Sequence, residues 1–175
     1  MTARDDVTAR DDVTARDDDA LRGGALFAAL EPEVADALIA RLTRRSFTAG
    51  ETVFREGDSG HSLFIVLEGE IELVRVAASG ELLHSVTFAP GTWFGEVALL
   101  GVTTRAILAR ARTDARLAEL GSRQLHELYR ADPRAYALLA MNLARGLARK
   151  LQQSEGRLAG VLAATGHRAA PLRAE

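Results

Sequence analysis

Apolar residues recur along the chain with two different periods, and the change of period divides it. Leu26, Phe27, Leu30, Val34, Leu38 and Leu42 are spaced near 3.6 residues, as on one face of a helix. Pro32, after Glu31, suits a first helical turn. The pattern predicts a short helix around 24–30 and a second around 32–43. Arg41, Arg44 and Arg45 would then complement the negative end of its dipole. From Ser46 short apolar runs alternate with glycine-marked turns, the texture of a small all-β unit. Phe47, Val53-Phe54 and the continuous run Leu63 to Leu67 are followed by Ile71 to Val76 and by alternating Leu82, His84, Val86 and Phe88. Ser79-Gly80 reads as the hairpin turn between the last two. Ile107 to Arg112 and Ala115 to Leu120 complete seven or eight strands. That number fits a barrel or jelly roll that protects its edges.

Helical spacing returns after Gly121. Ser122 is a plausible N-cap for a helix carrying Leu125, Leu128 and Tyr129. Asp132-Pro133 reads as N-cap and first residue of a longer helix. Its stripe is Leu139, Leu143, Leu147, Leu151, Leu158 and Leu162. Gly146, Gly156 and Gly160 each weaken it by roughly 1 kcal/mol if exposed. Gly166 would end it. The fold expected is therefore mainly β with flanking helices: a β-roll or jelly-roll barrel between N-terminal helices and a C-terminal helix pair.

The ends differ from this middle. TARDDV occurs at 2–7 and 8–13, and TARDDD at 14–19. A period of six matches neither helix nor strand, and each unit offers little to bury. Residues 1–19 are expected to be a disordered acidic tail, 20–165 the folded domain and 166–175 a flexible tail. The tail at 1–19 holds three Arg and seven Asp, while the rest of the chain is net positive by two. Neither value is the basic footprint of a nucleic-acid-binding domain. The absence of Cys excludes disulfides, thiolate chemistry and cysteine metal sites. With no transmembrane-length apolar run and a charged N-terminus, the expectation is a cytoplasmic protein that avoids membranes.

The chemistry lies in Phe94-Gly95-Glu96-Val97-Ala98-Leu99-Leu100 and the following Gly101 to Ala106. Residues 97–100 make about one helical turn, whose first N–H groups are free to meet an anion. Gly95 lets the backbone come close or take positive φ. Arg105 offers a planar fork of donors for phosphate oxygens. An ionised Glu96 only accepts, which suits a sugar hydroxyl. Singly, Glu96 is an ordinary helix-start acid and Arg105 an ordinary strand-entry cation; their combination in a turn-rich β domain is what points to a sugar phosphate.

The chain here resembles the cyclic nucleotide-binding domains of the catabolite activator family, protein kinase A regulatory subunits and cyclic-nucleotide-gated channels. The likeness covers about residues 24–163. It rests on Gly50-Glu51-x-Val53-Phe54-x-x-Gly57-Asp58, on the apolar run closing at Gly69, and above all on Phe94-Gly95-Glu96-x-Ala98-Leu99 followed by Arg105-Ala106. The last pattern resembles the family's phosphate-binding cassette, with its short helix. The resemblance implies that Glu96 binds the ribose 2′-hydroxyl. Arg105 would pair with the cyclic phosphate, helped by amides near Val97, Ala98 and Ala106, and Gly95 would permit close approach. Leu73 and Val86 fall where the family lines the base pocket. Ile107, Leu108 and the early Gly101 depart from the usual cassette; Ile107 either narrows the pocket or packs the barrel.

Ala148 to Glu155 resembles the dimer helix of the bacterial transcription factors, where adjacent hydroxyl residues contact adenine. Ser154 matches one of that pair, and it is equally read as an exposed helix serine. The leucine stripe is either a seam in a homodimer or a surface packed on the same chain. After Gly166 only nine residues follow, too few for the helix-turn-helix of that branch, so direct DNA binding is not expected.

The resemblance implies a stand-alone sensor of a cyclic mononucleotide, cyclic AMP before cyclic GMP, that signals to an effector protein by moving its C-terminal helix. The alternative is an interaction domain that keeps the fold without the ligand. An enzyme is not expected: His61, His84, His126 and His167 lack metal-binding spacing, and no nucleophile or P-loop motif is present. No cofactor other than the ligand is expected.

Overall fold

The computed structural model describes residues 3–76, 79, 82–101 and 104–165. Its elements are α1 (Ala3–Arg22), α2 (Pro32–Ile39), β1 (Thr43–Phe47), β2 (Thr52–Phe54), β3 (Ser62–Glu68), β4 (Ile71–Val76), β5 (Leu82–Phe88), β6 (Trp93–Phe94), α3 (Glu96–Leu99), β7 (Leu108–Ala111), β8 (Ala115–Gly121), α4 (Ser122–Ala131) and α5 (Pro133–Ala164). The strands form two four-stranded antiparallel sheets, ordered β1-β8-β3-β6 and β2-β7-β4-β5. The mainly-β roll with flanking helices expected from the alternation is the fold. The hairpin between β4 and β5 falls largely outside the described residues, as do Gly166 and the tail beyond it.

β3 shows why its apolar run is continuous. Phe64 and Val66 point between the sheets, into a cluster with Phe47, Phe54, Ile71, Phe94 and Leu117. Leu63 and Ile65 point the other way, toward Leu38, Ile39, Leu139 and Leu143 on the helices. A strand covered on both faces has no polar side to alternate. Inside the roll the ring centroids of Phe64 and Phe94 are 5.5 Å apart, and Phe54 lies 6.0 Å from each.

The N-terminal expectations need correction. Residues 3–22 form a helix where a disordered tail was expected. Its last turns are held by partners remote in sequence: Asp17 accepts two hydrogen bonds from Arg116, Asp18 accepts from Arg44, and Leu21 is buried. The predicted helix at 24–30 is a run of tight turns instead, with Phe27 N bonded to Gly24 O and Leu30 N to Phe27 O. Asn142 Nδ2 ties that run to α5 through the carbonyls of Leu26 and Ala28. Helix α2 stops at Ile39, so Arg44 and Arg45 lie on β1. Arg44 still reaches back to the carbonyls of Ile39 and Leu42.

At the other end Gly121, not Ser122, caps α4, its N–H donating to Gln124 Oε1. Asp132 caps α5 as expected, accepting from the N–H groups of Arg134 and Ala135 at 3.0 Å each, with Pro133 first in the helix. Helix α5 has 32 residues, about 48 Å at 1.5 Å per residue. Its first half is buried through Ala135, Leu139, Asn142, Leu143 and Gly146, whereas Leu151, Leu158, Val161 and Leu162 are exposed. The leucine stripe thus packs on the same chain as far as Leu147 and then runs out over the roll.

Candidate functional site

Strand β6 delivers the backbone into the cassette at Gly95, whose φ of +81° is a left-handed conformation that favours glycine. A Cβ at this position would stand 2.7 Å from Arg105 Nη1. Gly95 therefore provides both the turn and the space for the arginine. Glu96 opens α3 and is buried, Ala98 is buried, and Val97 is exposed. Ala98 N is bonded to Gly95 O at 3.3 Å, so the amide expected to be free for an anion is spent within the turn.

Arg105 is 6% exposed. Nη1 donates to Ser62 O at 2.8 Å and to Gly95 O at 3.0 Å; Nη2 donates to Ser62 Oγ at 3.2 Å. The guanidinium carbon lies 4.2 Å from the Phe54 ring centroid and 5.5 Å from that of Phe64. Burial pulls its pKa below the ordinary arginine value, with Glu119 and Asp58 acting in opposition. The backbone is clamped too: Arg105 N donates to Asp58 O and Gly57 N to Arg105 O, both at 2.8 Å. The Gly57-Asp58 turn, which belongs to the pattern that carries the family resemblance, seats the arginine. Ala106, expected to lend an amide, offers its carbonyl to Arg75 Nη2 at 2.8 Å.

Glu96 has a partner the sequence did not single out. Lys150, from α5, places Nζ 3.0 Å from Glu96 Oε1 and donates to Trp93 O at 2.8 Å. The ammonium stands 3.7 Å from the Trp93 ring centroid. Burial holds the Lys150 pKa below the ordinary lysine value, against the opposing pull of Glu96. One turn earlier in α5, a Cβ on Gly146 would lie 2.2 Å from Trp93 Cζ2. The indole sits in a notch left by this glycine, so Gly146 joins helix to roll where sequence alone marked a weak point.

A cavity of about 690 Å³ lies between this end of the roll and α5. Leu73, Val86 and Ser154, three of the expected ligand residues, line it together with Phe88, Trp93, Ile107 and Lys150. Gly95, Glu96, Val97, Ala98, Arg105 and Ala106 are not among its lining residues. Glu96 is joined to it through Lys150. Ile107 lines the cavity and also packs against the inter-sheet cluster, so its two readings hold at once. Of the four histidines, the side chain of His84 and all of His167 fall outside the described residues. His126 lines a smaller cleft with Tyr129 and Tyr136. Among the described residues no group of three metal-ligating side chains is gathered, and no helix is long and apolar enough to cross a membrane.

Residues 44–132 match the family model described as "Cyclic nucleotide-binding domain". The chain belongs to this family. It is 34% identical over 135 residues to the cyclic AMP receptor protein of Thermus thermophilus, covering 77% of this chain and 61% of the relative. It is 30% identical to a cAMP-dependent protein kinase regulatory subunit from Blastocladiella emersonii, over 59% of this chain and 26% of the subunit. The chain thus spans less than two thirds of either curated relative. The N-terminal domain of a transcriptional regulator from Streptomyces coelicolor superposes with a TM-score of 0.68 at 30% identity, covering 77% of this chain and 94% of that one. The family's domain is a sensory and regulatory module, not a catalytic one.

Proposed function

We propose that the chain senses a cyclic mononucleotide, cyclic AMP before cyclic GMP, and reports it through α5. The observation that carries this reading is the buried pair Glu96 and Arg105 at the two ends of the cassette, with Glu96 held by Lys150 of α5. A ribose hydroxyl that binds Glu96 at Oε1 competes with Lys150 for that oxygen. The contact tying α5 to the roll is therefore the one a ligand competes for. Binding then favours a different helix position by its differential affinity for the two states. Support comes from the cyclic AMP receptor protein of Thermus and from the regulatory domain of Toxoplasma gondii protein kinase A, solved with cAMP, which matches at a TM-score of 0.58 and 30% identity. Leu73 and Val86 would flank the base, with Ser154 above it on α5. The exposed Leu151, Leu158 and Leu162 suit a second copy of the chain, and an effector protein would read the helix.

Calorimetric titration with cyclic AMP, cyclic GMP and linear AMP tests the proposal. Cyclic AMP should bind tightest, and Arg105→Ala should weaken it by at least 1.5–3 kcal/mol, about the contribution of a charge-assisted contact. Unchanged affinity in Arg105→Ala refutes the assignment. A second reading, an interaction domain without ligand, is favoured by one observation: both charged residues are satisfied within the protein. A ligand at 100 times its dissociation constant should stabilise the fold by roughly 2.7 kcal/mol. No thermal shift with millimolar cyclic AMP or cyclic GMP would establish the interaction domain instead.

A further inference from the structure

We propose that Ser62 and Glu119 form a positioning relay that fixes which edge of the Arg105 guanidinium is left for an anionic ligand. The inference rests on Arg105 being the anion-binding residue of the function proposed above. A guanidinium carries five N–H groups. The protein takes three of them, two on Nη1 and one on Nη2. What remains is Nε–H and the second N–H of Nη2, a fork matched to two oxygens of a phosphodiester.

The two N–H groups of Nη1 go to backbone carbonyls; whether the N–H of Nη2 is taken depends on the Ser62 hydroxyl, and the state of that hydroxyl depends on Glu119. Ser62 is 7% exposed, and its hydroxyl has a single proton. That proton goes to Glu119 Oε1 at 2.6 Å, because an ionised carboxylate only accepts. The lone pairs of Ser62 Oγ are thereby left for Arg105 Nη2. Glu119 is held in turn by Arg45 at 3.4 Å. Among the described residues no carboxylate forms a contact ion pair with Arg105; Glu119 acts on it through the serine by hydrogen bonding and, without contact, through its charge.

The slot itself leaves the guanidinium little choice of plane. A Cβ on Gly60 would lie 2.3 Å from Arg105 Nε, and one on Gly95 2.7 Å from Nη1, while Phe54 covers one face. Backbone and rings set the plane, and the serine sets the edge. Glu119→Gln attacks the device without a change of size. With the amide oxygen kept on Arg45, the amide nitrogen faces Ser62 Oγ and competes with Nη2 for its lone pairs, and the hydroxyl proton loses its carboxylate acceptor.

The experiment is calorimetric titration of the full chain with cyclic AMP and cyclic GMP for the wild type, Ser62→Ala, Ser62→Thr and Glu119→Gln. The Ala and Gln variants are repeated in an Arg105→Lys background, where no fork remains to be oriented. Ser62→Ala and Glu119→Gln are expected to weaken binding about tenfold, the scale of one hydrogen bond to a charged group. Ser62→Thr, which restores a hydroxyl, is expected to bind like the wild type, and in Arg105→Lys the two substitutions should add nothing. Should Ser62→Ala fail to fold, Glu119→Gln on its partly exposed side chain decides the matter. Wild-type affinity in both variants, or equal losses in the Arg105→Lys background, overturns the relay and leaves the functional reading standing. A wild type that binds no cyclic nucleotide overturns that reading, and the relay's part in binding with it.

Discussion

Lys150 Nζ lies 3.0 Å from Glu96 Oε1, so the carboxylate implicated in sugar recognition is already engaged by the helix implicated in signalling. The Glu96 side chain is 9% exposed and that of Lys150 33%, and the pair holds the carboxylate against the helix. Removing the lysine leaves Glu96 buried without its cation, a cost borne by the ligand-free state. Lys150→Met should therefore tighten cyclic AMP binding, by up to roughly tenfold after allowance for the partial exposure of the lysine. Calorimetry measures this directly. Weaker binding in the variant would show instead that Lys150 stays with the bound ligand.

The same pair makes a prediction in pH. Burial lowers the Lys150 pKa below its ordinary value of about 10.4, so in folded protein this group loses its proton earlier than in the unfolded chain. In the interval between the two values the unfolded chain holds more protons, and stability rises with pH. The stability of the wild type relative to Lys150→Met should accordingly increase with pH over the interval just below about 10.4. Denaturant midpoints of the two proteins across that range test the sign. A flat or falling difference would mean that the lysine is not desolvated in solution.

What the sequence revealed follows the range of the interactions involved. The strands were legible because their alternation is local, and Gly95-Glu96 with Arg105 because the turn chemistry lies within a dozen residues. Helix α1 was not: its anchors Asp17 and Arg116 are 99 positions apart, and a repeat of six conceals them. Lys150 meets Glu96 across 54 positions, and Ser62 meets Arg105 across 43, with no spacing rule to announce either. The packing role of Gly146 was hidden for a related reason. Helix propensity counts the glycine's entropy, but the indole that needs the notch belongs to β6.

Arg116 joins three elements, donating to Asp17 of α1 and to Glu68 at the end of β3 from its own place on β8. Arg116→Ala strands Asp17, whose side chain is 8% exposed, without its bidentate partner. Since the arginine itself is about a third exposed, the expected loss is roughly 1–2 kcal/mol, below that of a fully buried pair. The consequence should be local. The last turns of α1 lose their tether, and hydrogen exchange of amides 14–22 should accelerate while β3 and β8 stay protected. Uniform loss of protection across the roll would show that α1 is part of the cooperative core.

Trp93 is the single tryptophan of the chain and it fills the notch at Gly146, which makes it a built-in reporter of α5. A methyl at Gly146 would meet the indole Cζ2 at 2.2 Å, so either ring or helix must move. Overpacking of this kind costs about 1–3 kcal/mol. Local helix propensity, which favours alanine over glycine by roughly 1 kcal/mol, offsets part of it. Gly146→Ala should thus retain the fold, shift Trp93 emission to the red as the ring meets water, and loosen the Lys150–Glu96 contact one turn along the helix. Cyclic AMP added to the wild type should move the emission in the same direction if displacement of Lys150 lifts α5 from the indole. Titrations of both proteins followed by fluorescence make the comparison. A ligand that binds by calorimetry but leaves Trp93 emission unchanged would show that α5 keeps its seat, and the signal would then have to leave by another element.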